Sequence, residues 1–212
     1  MSAPQRIVIA DDHPMVRRAV GEAVSKVIPG ALLVEAGNLG ETMTAVGASP
    51  APDLLLLDLN MPGMDGFTGL AALRAAHPAV PILVVTAHED PQVPQNAARF
   101  GAAGYVPKSA ALAAIGEAVK AVLDGDEWFP DAGAATVARG AGAGATDELT
   151  PQQARVLVLL ADGKLNKQIA HDMAITEATV KAHITAIFRK LGVKSRTQAV
   201  IAARRPAKSE NP

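Results

Sequence analysis

Residues 53–67, DLLLLDLNMPGMDGF, decide how this chain folds. Four consecutive leucines form a short apolar run bounded by turn residues, the pattern of a strand buried on both faces of a parallel sheet. Asp58 stands where the run stops, and NMPGMDG supplies a turn directly after it. A carboxylate at the end of a buried segment is costly unless it has partners, so the remainder of the chain is expected to provide them.

Runs of the same kind recur before and after it. RIVIA (6–10), LLVEA (32–36), PILVVTA (81–87) and AGYVP (103–107) read as strands. PMVRRAVGEAVSKV (14–27), a weaker stretch near 39–48, DGFTGLAALRAAH, residues 91–100 and SAALAAIGEAVKAVLDG (109–125) read as the helices between and after them. The strands are unbroken apolar segments rather than alternating ones, as two-sided burial requires. Five β-α units in succession predict an α/β fold, a five-stranded doubly wound parallel sheet, over residues 5–124.

Composition narrows the function classes. The 212 residues are 49% apolar and 19% charged, enough to build a core. There is no cysteine, which excludes a disulfide framework, a thiolate zinc site and a cysteine nucleophile. The start, MSAPQRIVIADD, lacks the apolar region of a signal peptide, and no apolar run approaches the roughly 18 residues of a membrane span. A cytoplasmic protein with no membrane partner is expected. The net charge of −1 hides an asymmetry. From Asp147 onward 11 Lys and Arg stand against 6 Asp and Glu, a balance of +5, while residues 1–146 carry 9 against 15, a balance of −6. An acidic front and a basic back predict two domains with different partners.

Residues 125–146 separate the two. ARGAGAGATD has no apolar periodicity and reads as a flexible linker; its glycines do not match G-x-G-x-x-G and no strand precedes them. EWFP, ahead of it, is expected to pack as a short tail on the first domain. Residues 147–205 read as a small all-α helix-turn-helix domain of four helices. Thr150-Pro151-Gln152-Gln153 is a capping box with proline at the first helical position, and Gly163 can end that helix. Asn166 is placed to cap KQIAHDMA, and Thr176 to cap EATVKAHITAIFRKL, which Gly192 ends. Ser195 and Gln198 form a second capping box for RTQAVIAAR.

In the third of these helices Val180, Ile184, Ile187 and Leu191 make one apolar stripe. The opposite face carries Ala178, Lys181, Ala182, Thr185 and Arg189, small and basic, as entry into the major groove of double-stranded DNA requires. Lys181 and Arg189 can reach phosphates or guanine edges. The short turn AIT (174–176) is the helix-turn-helix signature.

The functional residues of an open α/β sheet gather at the carboxyl ends of its strands, above all where the strand order reverses. Those ends carry Asp11 and Asp12, Asp58, Thr86 and Lys108. In the order 2-1-3-4-5 the first and third strands are neighbours, which would bring three carboxylates together. Like charges at that range cannot all stay ionised unaided. A hard divalent cation resolves the conflict, and Mg2+, which also holds phosphate oxygens, is the natural candidate.

ADDHPMVRRAV, LLLLDLNMPGMDGF, VVTAH and GYVPKS resemble the motifs of response-regulator receiver domains, a resemblance that covers residues 5–124. It implies that Asp58 accepts a phosphoryl group from a sensor histidine kinase. It further implies that Asp12, Asp58 and the backbone carbonyl of Asn60 hold Mg2+, supported by Asp11. Lys108 would pair with the phosphoryl oxygens, Thr86 would donate its hydroxyl to them, and Tyr105 would reorient as Thr86 moves. Singly, each residue has a plainer role: an Asp at a strand end caps a helix, a Lys there is solvated, Thr86 and Tyr105 suit a strand, and Asp65 and His13 suit caps or turns. The joint pattern favours the phosphoryl site. His13 and His88 lack the H-x-x-x-H spacing of transition-metal ligands.

LTPQQARVLVLLADGKLNKQIAHDMAITEATVKAHITAIFRKLGVKSRTQAV (149–200) resembles the LuxR-type DNA-binding domain, and the whole chain a two-component response regulator of the NarL/FixJ class. By that resemblance Lys181, Ala182 and Thr185 face bases, and Lys167, Thr179, His183 and Lys194 lie near the DNA backbone. Two departures stand out. Gln152-Gln153 replaces the family's common Arg-Glu, and Thr185 stands where some members carry lysine. The expected protein is a phosphorylation-controlled transcription regulator, with no enzymatic activity beyond slow self-dephosphorylation. It would bind promoter DNA as a homodimer when phosphorylated, since one four-helix module offers little surface for specific affinity.

Two rival readings are weaker. A haloacid-dehalogenase-like phosphatase also uses an aspartyl nucleophile with Mg2+, but it needs D-x-D, and DLN at 58–60 lacks the second Asp. A tail that contacts protein or RNA would lack the steep salt dependence of duplex DNA binding.

Overall fold

The structure, a computed structural model, describes residues 4–88, 90–129, 149–173, 175–193 and 195–203. Most of the expected linker, Lys194 and the first residue of the AIT turn lie outside the described residues. Five strands, β1 (Arg6–Ala10), β2 (Leu32–Ala36), β3 (Leu54–Leu57), β4 (Ile82–Thr86) and β5 (Gly104–Pro107), alternate with α1 (Pro14–Val27), α2 (Leu39–Gly47), α3 (Phe67–Ala76), α4 (Val93–Arg99) and α5 (Leu112–Leu123). They form one parallel sheet in the order β2-β1-β3-β4-β5, the doubly wound topology expected.

The leucine run explains itself in this sheet. Successive side chains of a strand point to opposite faces. Leu55 and Leu57 pack with Val8, Val84 and Tyr105 on one face, while Leu54 and Leu56 pack with Ile7, Ile9 and Ile115 on the other. Both faces are covered, so every position must be apolar. Register places Ala10 beside Leu57, Leu57 beside Val84, and Thr86 beside Pro107. The residues that follow these pairs therefore emerge together at one rim. Two helices begin later than their apolar patterns suggest, α4 at Val93 and α5 at Leu112. Before α5, the Ala110 N–H bonds the Pro107 carbonyl, a turn that carries Lys108 back over the rim.

Of EWFP, residues 127–129 are described, and Trp128 and Phe129 pack on this domain. Trp128 bridges Gly104, donates its N–H to Ala103 and accepts the Tyr105 N–H, extending the edge beyond β5.

The second domain is α6 (Pro151–Ala161), α7 (Asn166–Met173), α8 (Glu177–Lys190) and α9 (Arg196–Ala203) around a core that includes Val156, Leu160, Ile169, Val180, Ile187 and Ala199. The Thr150–Gln153 capping box forms with both bonds in place. Thr176 accepts the Thr179 N–H at 3.1 Å, and Ser195 accepts the Gln198 N–H at 3.3 Å. Gly163 and Gly192 take positive φ, 80° and 62°, where the first and third helices of this domain end. Asn166 is not the cap of α7 but its first residue. The Leu165 carbonyl opens that helix, and the Gln168 side chain reaches back to accept the Leu165 N–H at 2.8 Å.

His183 of α8 is buried where the domains meet, beside Ala103, Gly125, Glu127 and Gln152. Neither ring nitrogen has a hydrogen-bond partner. Burial, helped by the Lys190 charge, pushes its pKa from 6.5 down to about 4. A base whose folded pKa is depressed binds its proton more readily when the fold opens. The packing is therefore fully stable above about pH 6.5 and loses stability as pH falls toward 4. Thermal melts across that window should show a loss of up to about 3 kcal/mol that His183→Gln abolishes.

Gly104 offers a packing test. A Cβ there would lie 2.8 Å from Leu83 Cδ1 and 2.8 Å from the Trp128 carbonyl oxygen. The backbone oxygen cannot rotate away, so Gly104→Ala should cost about 1–3 kcal/mol, read as a lower denaturation midpoint at unchanged m.

Candidate functional site

The neighbouring strands β1 and β3 end in Ala10 and Leu57, and each is followed by an aspartate. Asp11 is anchored by its N–H to the Ala36 carbonyl at 3.0 Å, and Asp58 by its N–H to the Ala10 carbonyl at 2.8 Å. Both carboxylates are almost fully buried, at 3% and 2% exposure. Lys108, whose N–H bonds the Thr86 carbonyl at 2.8 Å, answers them. Its ammonium lies 2.6 Å from Asp11 Oδ2 and 2.7 Å from Asp58 Oδ2. Burial alone would lower its pKa. The hydrogen bonds and charges of Asp11 and Asp58 outweigh that and hold it above the ordinary lysine value.

Asp12 and His13 complete the group. Ligand atoms of Asp11, Asp12, His13 and Asp58 all lie within 4.8 Å of one another, so this cluster could hold a metal ion. The residues present fit a hard cation. Asp12 Oδ1 is buried and makes no hydrogen bond, although His13 Nδ1 stands 2.6 Å away, so an oxygen lone pair is available. Hard divalent cations take such carboxylate oxygens. His13 suits a cap or a turn by sequence. It occupies the N-cap position of α1, makes no side-chain cap bond, and turns to the acidic cluster instead.

The other predicted residues surround this rim. Asn60 directs its N–H to Asp58 Oδ1 at 3.1 Å, and its side-chain amide meets His88 Nδ1 at 2.9 Å. Thr86 is fully buried, and its hydroxyl oxygen accepts the His88 N–H at 3.4 Å. Tyr105 is turned inward and donates its hydroxyl to the His88 carbonyl at 2.8 Å. Thr86 and Tyr105 thus hold the same short loop from two sides.

The predicted DNA-facing residues divide into two sets. Lys181, Thr185, Arg189 and Lys167 are exposed, while Ala182 is half-buried. Arg189 pairs with Asp126 of the first domain. Thr179 and His183 are buried against that domain, and Lys194 lies outside the described residues. The Gln152-Gln153 departure also has a structural counterpart. Gln153 Oε1 accepts the Thr150 N–H at 3.1 Å and Lys190 Nζ at 3.0 Å, and the Gln152 amide lies 2.7 Å from the Arg74 guanidinium. Sequence reasoning missed Asp53, Arg74 and Asp126 as residues that touch the helical domain. None carries a local pattern, since each is defined only by what docks on it.

Among the described residues no helix is long and apolar enough to cross a membrane. Residues 7–120 match the family model for the response regulator receiver domain, and residues 147–203 the model for bacterial regulatory proteins of the luxR family. The chain is 38% identical over 208 residues to the glycerol metabolism activator of Pseudomonas putida, covering 93% of this chain and 94% of that protein. It is 36% identical over 206 residues to the nitrate/nitrite response regulator protein NarL of Escherichia coli K12, with coverage of 93% and 94%. Its fold is similar to that of the RcsB response regulator of Salmonella typhimurium, at a TM-score of 0.56 and 24% identity over 93% of this chain and 97% of the other. The paired acids and lysine at the rim of a parallel sheet, joined to a helix-turn-helix, belong to a response regulator of the NarL type, a transcription regulator with a receiver domain and a LuxR-type DNA-binding domain.

Proposed function

We propose that Asp58 is the phosphoacceptor of this regulator, that a sensor histidine kinase is the donor, and that Mg2+ is the metal of the acidic cluster. The observation that carries this reading is the Lys108 ammonium shared by Asp11 and Asp58. Phosphoryl transfer depends mostly on positioning and charge neutralisation. Asp58 is held rigidly by the leucine strand behind it, and the NMPGMDG turn follows it directly. Lys108 is within reach of the oxygens that a phosphoryl group on Asp58 would present. Mg2+, held by Asp11, Asp12, Asp58 and the Asn60 carbonyl, would neutralise the transferred charge. Thr86 would then donate its hydroxyl to the phosphoryl group and withdraw it from His88, which frees Tyr105 to change position. Water at the same site accounts for at most slow self-dephosphorylation.

The output is transcriptional. Lys181, Ala182 and Thr185 of α8 would face bases. Lys167, Thr179, His183, Arg189 and Lys194 are assigned to the DNA backbone and its approaches. A phosphorylated homodimer on paired half-sites supplies the affinity one module lacks. The expected domain limits, 5–124, 125–146 and 147–205, and a cytoplasmic location complete the proposal. The family match supports the regulator reading against a phosphatase, and the exposed Lys181 and Thr185 support the DNA reading.

Incubation with a small phosphodonor and Mg2+ should raise the intact mass by one phosphoryl group. Asp58→Ala should abolish the gain, and chelation should slow it by more than about a hundredfold. An equal gain in Asp58→Ala would overturn the assignment. Binding to duplex DNA should fall linearly in log affinity against log salt. Lys181→Ala should cost about 1–3 kcal/mol if it reads a base edge, or lower the salt slope by about one if it meets a phosphate.

A further inference from the structure

His13 departs from what its place in the chain calls for. It is the N-cap of α1, with Pro14 at the first helical position, where a short oxygen-bearing side chain would accept an N–H of the first turn. The imidazole makes no such bond. Its backbone N–H goes to Asp11 Oδ1 at 2.8 Å, and its ring Nδ1 stands 3.3 Å from that oxygen and 2.6 Å from Asp12 Oδ1. Asp12 Oδ1 is itself buried and makes no hydrogen bond. The rest of the ring is open to water, with 64% of the side chain exposed, so a hydrated ion can reach it.

The charges around the ring call for a dication. Asp11, Asp12 and Asp58 face one ammonium, that of Lys108, which meets Asp11 Oδ2 and Asp58 Oδ2. The Arg17 guanidinium, which donates to the Asp11 carbonyl, is answered by Glu35 at 2.7 Å. Two negative charges are left, and one divalent cation cancels them. Asp11, Asp12, His13 and Asp58 each offer a ligand atom, all within 4.8 Å of one another. Atoms bound about 2.1 Å from one ion lie about 3 Å apart, so small side-chain adjustments close this set on a metal. The nitrogen decides which metal. Mg2+ takes oxygen ligands and sheds its water reluctantly, whereas imidazole suits the later first-row ions. With no cysteine in the chain, no thiolate competes for such an ion.

We propose that His13 is a metal ligand through Nδ1, and that it makes this site prefer Co2+, Ni2+ and Zn2+ over Mg2+ by more than its oxygens alone would. The inference rests on the metal reading of the acidic cluster above and adds the ligand that sets the choice of ion. The partners of His13 are carboxylates beside it in the chain and across the sheet rim, so it needs no second histidine at helical spacing. Affinity at any site of nitrogen and oxygen ligands rises along the first-row series toward copper, and an imidazole steepens that rise. The ion beside Asp58 would then follow the ratio of free metals, with His13 setting how sharply.

Tag-free full-length wild type, His13→Phe, His13→Asn and His171→Ala are to be titrated separately with MgCl2, CoCl2 and NiCl2 by isothermal calorimetry. Phenylalanine keeps the bulk of the ring without its nitrogen, and asparagine offers an oxygen instead and is a favoured N-cap residue. His171, 91% exposed on α7, controls for an adventitious imidazole. Both changes at His13 should weaken Co2+ and Ni2+ binding by about tenfold or more and Mg2+ binding by less than about twofold, while His171→Ala alters neither. In wild type carrying isotope-labelled histidine, ZnCl2 should shift the nitrogen resonance of His13 Nδ1. Circular dichroism melts establish which variants are folded; either folded variant decides, and the wild-type resonance decides if neither is. Unchanged Co2+ and Ni2+ affinity, or equal changes for them and Mg2+, overturns the inference and leaves His13 an ion-pair partner of Asp12. A loss in His171→Ala as large as in His13→Phe, or an unmoved Nδ1 resonance, overturns it as well. Failure of wild type to bind Mg2+, Co2+ and Ni2+ alike overturns the metal reading of the cluster and the inference with it.

Discussion

Two buried carboxylates share the Lys108 ammonium, and the alignment of the sheet is what brings the three groups together. Asp11, Asp58 and Lys108 each follow a strand whose last residues are paired: Ala10 with Leu57, and Thr86 with Pro107. A slip of one residue in any of these ladders would turn the side chain to the other face. The register is protected because each strand is apolar on both sides, and a slip would disturb two cores at once. The continuous leucine run thus fixes Asp58 indirectly. It leaves the strand no alternative pairing in which the carboxylate could point elsewhere.

The same strand has a working residue at each end. Asp58 closes β3 at the acidic rim, and Asp53 precedes it at the domain interface. About 17 Å of extended backbone separates them. Two opposite demands are met by one residue type. At the rim the buried carboxylate is neutralised by the Lys108 ammonium. At the interface it is neutralised by hydroxyls at a helix N-terminus, without any formal positive charge.

The local parts of this architecture were legible in the sequence. The five strands, the two-sided burial of β1, β3, β4 and β5, and the Thr150 and Thr176 caps depend on neighbours within a few residues, and such patterns survive without tertiary knowledge; the edge strand β2, with Leu32 and Glu35 exposed, departs from the expected burial. The acidic rim was legible because motif residues sit at strand ends, where topology dictates their meeting. Asn166 misled because a good capping residue next to a helix start is not necessarily the one whose carbonyl opens it. The interface was illegible for a different reason. Asp53 reads as the polar start of a strand, Gly125 as the end of a helix, and His183, by the family resemblance, as a neighbour of the DNA backbone. Their burial is set by another domain, and no period in the chain encodes that partner.

The composition of α8 makes sense only when both of its neighbours are counted. Val180 and Ile187 face the helical core and are fully buried. A helix serving that core and solvent alone would place charged or long polar residues on its remaining faces. Instead Ala182 and Ala186 lie on a second flank, where the backbone of Gly125 approaches within van der Waals range. Small residues permit close approach to a turn of protein backbone for the same steric reason that they permit close approach to a DNA groove. A helix packed on two sides in this way keeps Lys181 and Thr185 exposed on its remaining face.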